Sequence, residues 1–288
     1  MPDAKVLRYA AFTERGAGGN PAGVVLDASG MDDAERLAVA ADVGFSETAF
    51  VEPGRHVREY RLRYFSPLAE VAFCGHATIA TAVVLAERHG PAELLFDTPA
   101  GPVPVRTVAT DAGYTATMTS VPTRTRPASD DELDETLRAL RWQRSDLDPR
   151  YPAHVGFAGN DHPILAVRSR DHLAALDYDY DLLASVMASR AWTTLQLVYA
   201  HSPVLFAARD PFPPGGVVED PATGAAAAAF GGYLRALGLV DLPTTITLLQ
   251  GEDMGRPSRL IVRVAADDAR VGVTGTASPV REASAAAP

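Results

Sequence analysis

Three titratable side chains, Glu47, His76 and Asp220, stand in local settings that suit proton-transfer chemistry. Apolar residues flank Glu47 within residues 45–50, so we expect partial desolvation of its carboxylate. His76 lies in the first turn of a predicted helix, where an imidazole can accept or relay a proton. Asp220 directly precedes a second predicted helix, where capping and catalytic roles are compatible. These residues predict general acid–base catalysis. Structural roles are the alternative: Glu47 would be a solvated glutamate, His76 would be hydrogen-bonded within an interface, and Asp220 would only cap a helix.

Small residues open both of those predicted helices. The first opens with Cys-Gly-His-Ala-Thr at residues 74–78 and the second with Ala-Thr-Gly-Ala-Ala at residues 222–226. Backbone N–H groups in a first helical turn, together with the helix dipole, form a site for an anion. We therefore predict that the two turns bind a substrate carboxylate through residues Gly75, Ala77, Thr223, Gly224 and Ala225. The alternative is that the two glycines only allow close helix packing.

The surrounding pattern alternates short strands with amphipathic helices. Helices are predicted at 33–43, 75–88, 132–143 and 223–237, and strands at 5–12, 22–26, 59–65, 93–97, 102–108, 113–119, 163–167, 196–199, 203–208, 245–250 and 259–264. This order of elements predicts an α+β fold.

The chain reads as an internal duplication. Gly19 and Gly159 begin similar segments 140 residues apart, and Gly75 and Gly224 open similar helices 149 residues apart. We predict two similar domains related by pseudo-twofold symmetry, over residues 1–120 and 131–278, with the site in the cleft between them. Residues 120–131 are interpreted as a linker, and residues 281–288 as a frayed tail. Two segments of merely similar composition are the alternative.

Composition excludes several functions. The net charge of −10 disfavours a nucleic-acid partner. Lys5 is the only lysine and stands in neither a Schiff-base nor a phosphate-loop context. A single cysteine, Cys74, excludes an internal disulfide, and the seven histidines show no metal-ligand spacing. We therefore expect neither cofactor nor metal. The apolar runs are too short to span a membrane, so we expect a soluble, cytoplasmic protein.

Several segments together resemble the PhzF family, the phenazine-biosynthesis-type isomerases with a diaminopimelate epimerase-like fold. They are Gly-Asn-Pro-Ala at 19–22, Ser-Glu-Thr at 46–48, Arg-Tyr-Phe-Ser-Pro at 63–67, Cys-Gly-His-Ala-Thr at 74–78, Glu-Asp-Pro-Ala-Thr-Gly at 219–224, Gln-Gly at 250–251 and Met-Gly-Arg-Pro-Ser at 254–258. The resemblance implies a β-sheet or barrel curled around a central helix in each domain, with the last strand able to cross to the N-terminal domain.

The resemblance also implies the chemistry. It makes Glu47 the proton-transferring acid/base of a cofactor-independent reaction, with His76 and Asp220 as assisting groups and Asn20 among the substrate-binding residues. It implies a homodimer. Members of the phenazine type commonly carry serine directly after the second Thr-Gly, where this chain has Ala225. That departure favours a carboxylate other than the phenazine precursor, a dihydro-hydroxyanthranilate.

The residues favour an isomerase with one acid/base over a two-thiol racemase, because Cys74 is the only thiol in the chain. We expect a proton to move between two carbons of a small carboxylate, such as a dihydro-hydroxyanthranilate or an unsaturated amino or imino acid. An epimerase or racemase of the same fold, with Glu47 and a second acid, is one alternative. A catalytically inactive homologue that binds a small molecule is the other.

Overall fold

The computed structural model describes residues 5–280. Its first half contains β1 (Val6–Ala11), β2 (Asn20–Val25), α1 (Asp33–Val43), β3 (Thr48–Pro53), β4 (Glu59–Phe65), β5 (Glu70–Val71), α2 (Gly75–His89), β6 (Glu93–Thr98), β7 (Gly101–Thr110) and β8 (Gly113–Thr119). The tail at 281–288, for which fraying is predicted, lies outside the described residues.

The second half repeats this order with additions. It contains β9 (Arg124–Pro127), α3 (Asp130–Leu140), β10 (His154–Phe157), β11 (Asp161–Val167), α4 (Arg170–Ala174), α5 (Tyr180–Arg190), β12 (Gln196–Ser202), β13 (Leu205–Pro211), β14 (Glu219–Asp220), α6 (Gly224–Ala236), β15 (Thr244–Gln250), β16 (Ser258–Val264) and β17 (Val271–Pro279). Within residues 5–280, no helix is long and apolar enough to cross a membrane.

Eight strands close into a barrel in the first half, in the order β1-β2-β3-β4-β6-β7-β8-β17 and back to β1. Helix α2 fills this barrel, because its side chains from His76 to Ala86 are all buried. A helix that is buried on every face needs apolar or small residues all round, and the alanine-rich sequence of α2 supplies them. The barrel thereby fixes the N-terminus of α2 at one end of its core.

The second half uses the same succession of pairings around α6. Strands β11 and β12 are parallel, as are β2 and β3, and β13 and β15 are parallel, as are β4 and β6. One hydrophobic core runs through both halves and includes Ile79 of α2 and Phe230 of α6. The α+β fold with a helix inside each curled sheet is confirmed.

The ends of the two halves interlock through β17. Its first residues pair with β16 and with β8, and its last residues pair with β1. The strand at the end of the chain therefore closes the barrel built by the beginning of the chain. Helices α3 and α5 pack together outside the second sheet, in a separate cluster that includes Leu140, Leu183 and Met187.

The segment 120–131, interpreted from the sequence as a linker, contains regular structure. Strand β9 lies there and pairs antiparallel with β10, and α3 begins at Asp130 behind a capping box of Ser129 and Glu132. So short a strand is stabilised by pairing with its neighbour rather than by local propensity. The proline-rich sequence therefore does not predict it. Helix α3 also ends at Leu140 rather than residue 143, because Arg141 adopts a left-handed conformation (φ 59°).

Candidate active site

The N-termini of α2 and α6 meet in the middle of the molecule. A Cβ atom added at Gly75 would lie 3.8 Å from the Cα of Gly224, and the methyl group of Met118 lies 3.6 Å from the corresponding position at each glycine. Within the described chain, neither N-cap residue, Cys74 or Thr223, forms a side-chain cap. The first-turn N–H groups of both helices are thus left for an anion.

Strand β3 brings Glu47 to this point. Glu47 directly precedes β3, and its carbonyl accepts a hydrogen bond from the Gly23 N–H of the parallel strand β2 at 3.1 Å. The approach of the two strands requires a glycine, because a Cβ atom at position 23 would lie 2.5 Å from Thr48 Oγ1. The Glu47 carboxylate Oε2 then lies 3.3 Å from His76 Nε2 at the start of α2.

Cys74 completes a group of three with Glu47 and His76. Its Sγ lies 3.6 Å from Glu47 Oε2 and 3.6 Å from His76 Nε2. Burial, and secondarily the negative charge of Glu47, raise the pKa of the Cys74 thiol well above its ordinary value. The thiol is therefore protonated at neutral pH and is a poor nucleophile in this state.

Asn20 connects the two halves of the site. Its side-chain amide donates to Asp220 Oδ1 at 2.7 Å and to the Ala222 carbonyl at 3.2 Å, and the amide nitrogen lies 3.1 Å from His76 Nδ1. Asn20 is buried at the first residue of β2. One amide therefore couples the imidazole of the first half to the carboxyl group of the second.

Asp220 is held by its own half as well. Thr223 Oγ1 donates to Asp220 Oδ2 at 2.6 Å, and the Gln250 amide donates to the Asp220 carbonyl at 2.8 Å. Burial raises the pKa of Asp220 to about 6, although His76 and the Thr223 hydrogen bond act in the opposite direction. Asp220 consequently gains or loses a proton close to neutral pH, which suits an assisting acid or base.

A second buried carboxyl group, Asp210, lies beside Asp220. The two residues pair across β13 and β14, and Asp210 is fully buried. Neither Asp210 carboxyl oxygen has a hydrogen-bond partner among the described residues. Burial, and then the neighbouring Asp220, raise the pKa of Asp210 well above its ordinary value. Burial therefore favours the protonated, neutral form of Asp210, which limits the negative charge of this carboxyl pair.

The structure brings most of the predicted site residues together. Glu47, His76, Asn20 and Asp220 form one connected group, Thr223 touches Asp220, and Gly75 faces Gly224. Ala77 is buried in the first turn of α2, and Ala225 is half-buried in the first turn of α6. Their part in substrate binding remains a prediction.

Sequence reasoning missed three members of the site. Cys74 is excluded from chemistry when it is considered only as half of a two-thiol pair, although its position beside His76 is a local signal. Gln250 lies in a family-like segment but carries no distinctive neighbour. Asp210 has no sequence signal at all, because only the pairing of β13 with β14 brings it to Asp220.

Comparison with known proteins agrees with the geometry. A family model described as phenazine biosynthesis-like protein (PhzC-PhzF) matches residues 9–283. The chain is 31% identical to an uncharacterized isomerase of Clostridium acetobutylicum over 89% of this chain and 88% of that protein. It is 30% identical to the trans-2,3-dihydro-3-hydroxyanthranilate isomerase of Pseudomonas chlororaphis over 88% of this chain and 87% of that protein.

A solved structure shows the same fold. The Bacillus anthracis phenazine biosynthesis protein of the PhzF family superposes with a TM-score of 0.85 at 28% identity, over 96% of each chain. Two curled sheets around central helices, together with relatives that are named isomerases, define an enzyme of the isomerase class. The chain belongs to the PhzF family, as the resemblance of its motifs indicates.

Proposed function

We propose that this isomerase moves a proton between two carbons of a small unsaturated carboxylate, with Glu47 as the acid/base and without a cofactor. The observation that carries the proposal is the position of Glu47. Its carboxylate lies 3.3 Å from the His76 imidazole, directly beside the place where the N-termini of α2 and α6 converge. A substrate carboxylate held at those N-termini presents its neighbouring carbons to Glu47.

The reaction needs one group that both removes and returns a proton. The Glu47 carboxylate takes a proton from one carbon, the double bond shifts along the substrate, and the same carboxyl group, after exchange of its proton with solvent, delivers a proton to a different carbon. The imidazole of His76 and the protonated form of Asp220 donate hydrogen bonds that stabilise the negative charge developing on the substrate. Atoms balance within the substrate and Glu47, so the reaction is an isomerisation.

The arrangement argues against a two-thiol racemase. Cys74 is the N-cap of α2, and the equivalent N-cap of α6 is Thr223, so the second half has no matching thiol. Glu47 and Cys74 also lie 3.6 Å apart in the same half of the site rather than on opposite sides of it. A proton returned from the side that removed it preserves the face of the substrate while changing the position of the double bond.

The substrate class follows from the anion site. Two helix N-termini recognise a carboxylate, and the first turn of α6 offers backbone donors without a hydroxyl at Ala225. We propose a cyclic dihydro-hydroxyanthranilate or a related unsaturated amino or imino acid, with an acidic proton one or more bonds from the carboxylate. The relative from Pseudomonas chlororaphis is named for a substrate of this kind.

Deuterium incorporation tests the proposal. Chelator-treated protein in D₂O is incubated with dihydroanthranilates, unsaturated cyclic imino acids and ordinary amino acids, and carbon-bound deuterium is followed by NMR. We expect incorporation with the wild type and a loss of at least about 100-fold in Glu47→Gln, the lower range for a positioned acid/base. The matched control is Glu93→Gln, which makes the same change on the exposed outside of β6.

Two outcomes contradict the proposal. Undiminished incorporation in Glu47→Gln excludes Glu47 as the acid/base. Binding of the compounds by the wild type without exchange at carbon and without a change in the ultraviolet spectrum identifies a small-molecule-binding protein that has kept the fold and lost the chemistry.

A further inference from the structure

The side chains of Glu47, Cys74 and His76 form a compact triangle of three different metal-binding atoms. Glu47 Oε2, Cys74 Sγ and His76 Nε2 are separated by 3.3, 3.6 and 3.6 Å. The side chains of Glu47 and His76 are 15% and 8% exposed, and Cys74 is buried. Neither the spacing of the residues in the chain nor the acid–base role of Glu47 accounts for a sulfur atom at this position.

The triangle has the dimensions of one face of a zinc tetrahedron. Zinc binds thiolate sulfur at about 2.3 Å and imidazole nitrogen or carboxylate oxygen at about 2.0–2.2 Å. Tetrahedral angles between such bonds separate the nitrogen and oxygen ligands by about 3.4 Å, and the sulfur from either by about 3.6 Å. The three observed distances agree with these values, but Cys74 Sγ also lies 3.4 Å from His76 Nδ1, so the imidazole must rotate before its Nε2 lone pair faces the ion.

We propose that Glu47, Cys74 and His76 bind one thiophilic divalent ion, such as Zn²⁺, and that the bound ion inhibits the isomerase. The mixed sulfur, nitrogen and oxygen ligand set suits zinc better than magnesium or calcium, which prefer oxygen alone. The fourth ligand is a water molecule or a substrate carboxylate. This site is inhibitory because ligation occupies the carboxylate that the reaction needs.

Charge and proton balance are satisfied. Zn²⁺ displaces the thiol proton of Cys74 to solvent, and the thiolate and the Glu47 carboxylate then neutralise the ion. A neutral complex is the form that a largely buried position favours. Ligation through Nε2 places the imidazole proton on Nδ1, so rotation of the ring gives up the 3.1 Å contact with the Asn20 amide nitrogen, which keeps its hydrogen bonds to Asp220 and Ala222.

Cobalt spectroscopy tests ion binding independently of catalysis. Metal-free full-length protein is titrated with Co²⁺ alone, because a thiolate bound to Co²⁺ gives a charge-transfer band in the near ultraviolet. Cys74 is the only cysteine, so any such band reports on this site. We expect the band to saturate at one ion per chain, to disappear when Zn²⁺ is added, and to be absent in Cys74→Ser.

The carboxylate and imidazole ligands are tested separately. We expect Glu47→Gln and His76→Gln each to weaken Co²⁺ binding at least about ten-fold, the lower end of what loss of an outer-shell partner causes. Glu93→Gln is the control with the same chemical change far from the site, and circular dichroism checks that each variant is folded. The absence of a thiolate band in excess Co²⁺ overturns the site. Unchanged affinity in both Gln variants also overturns it, because the thiol then binds alone.

Inhibition rests on the proposed function and is measured second. Equimolar Zn²⁺ is expected to stop deuterium incorporation in the wild type, and a chelator is expected to restore it. Bound Co²⁺ or Zn²⁺ with unchanged incorporation overturns the inhibitory half of the proposal. A protein without any isomerase activity leaves the spectroscopic result to decide ion binding by itself.

Discussion

At the scale of single residues, the site separates its carboxyl groups by environment. Glu47 lies beside His76, the Asp220 carboxyl group accepts hydrogen bonds from Asn20 and Thr223, and Asp210 is buried without a hydrogen-bond partner among residues 5–280. Three carboxyl groups near one substrate anion would repel it if all were ionised. The burial of Asp210 favours its neutral form, which reduces this repulsion at the helix N-termini.

The buried Asp210 makes stability depend on pH. Its pKa is higher in the folded than in the unfolded protein, so the stability it contributes is complete below the unfolded pKa and falls as the pH rises towards the folded pKa. Asp210→Asn has no such proton to retain. We expect the stability of the variant relative to the wild type to rise with pH above the unfolded pKa, by up to about 1.4 kcal/mol for each pH unit over which folded Asp210 keeps its proton. Denaturant unfolding at several pH values measures it, and a difference independent of pH would contradict it.

Asp220 is expected to titrate near pH 6, because burial raises its pKa to about 6. Carboxyl ¹³C NMR of protein labelled at aspartate should show one resonance with a midpoint near that pH. The resonance should be missing in Asp220→Asn and should persist in Asp210→Asn. A spectrum in which no aspartate titrates near this pH would contradict the assignment of Asp220 as an exchangeable acid.

The sequence reveals residues of the site whose neighbours in the chain are informative. Glu47, His76 and Asp220 stand beside apolar or helix-opening residues and are predicted on that basis. Asp210 follows Ala207, Ala208 and Arg209 like any strand residue, and its burial against Asp220 depends on a two-residue strand. Contacts made only by tertiary pairing leave no local signal in one sequence.

At the scale of elements, the two central helices carry the site because their N-termini are uncapped and adjacent. Close helix packing is the alternative explanation for the glycines at these N-termini. For Gly75, the structure distinguishes that explanation from anion binding. A Cβ atom at Gly75 would make only ordinary contacts, the shortest being 3.6 Å, whereas one at Gly231, in the middle of α6, would lie 2.8 Å from Val262. Gly231 is therefore a packing glycine, and Gly75 is not.

Two alanine variants test this distinction. Gly75→Ala should leave stability unchanged or slightly raised, by up to about 1 kcal/mol, since alanine favours a helix over glycine. It should nevertheless weaken carboxylate binding, because its methyl group enters the space between the two N-termini. Gly231→Ala should instead lose about 1–3 kcal/mol of stability through overpacking. Chemical denaturation and calorimetric binding measure both; equal loss of stability in the two variants would support packing alone.

Element prediction from the sequence succeeds where caps and periodicity agree. Helix α1 has an aspartate cap at Asp32 and a left-handed Gly44 at its end, and its predicted bounds coincide with the observed ones. Helix α5 is not predicted, because only Leu183, Val186 and Met187 are buried along it and they face α3 rather than a central core. A short helix with a narrow apolar face depends on its partner for stability.

At the scale of the whole molecule, β17 makes the two halves interdependent. It pairs with β1 and β8 of the first half and with β16 of the second. The first barrel is therefore incomplete without the last strand of the chain. Duplication is visible in the sequence through matching turns, but this exchange is not, because a strand's partner is set by topology rather than by its own residues.

We expect the two halves to unfold together. Calorimetry should show one transition with equal calorimetric and van't Hoff enthalpies. A chain that ends at residue 270 should lack the near-ultraviolet circular dichroism of packed aromatic side chains, since β17 is then absent. Two separate transitions in the full chain, or a folded truncated chain, would contradict this interdependence.

The proposed reaction depends on one carboxyl group, that of Glu47, which removes a proton at one carbon and delivers one to another. The most direct measurement is the position of deuterium in the product after turnover in D₂O, resolved by NMR together with the ultraviolet spectrum. We expect deuterium at a carbon different from the one that lost its proton, a changed conjugation and at least about 100-fold less product with Glu47→Gln. Deuterium at the original carbon with inverted configuration and an unchanged spectrum would contradict it and identify an epimerase.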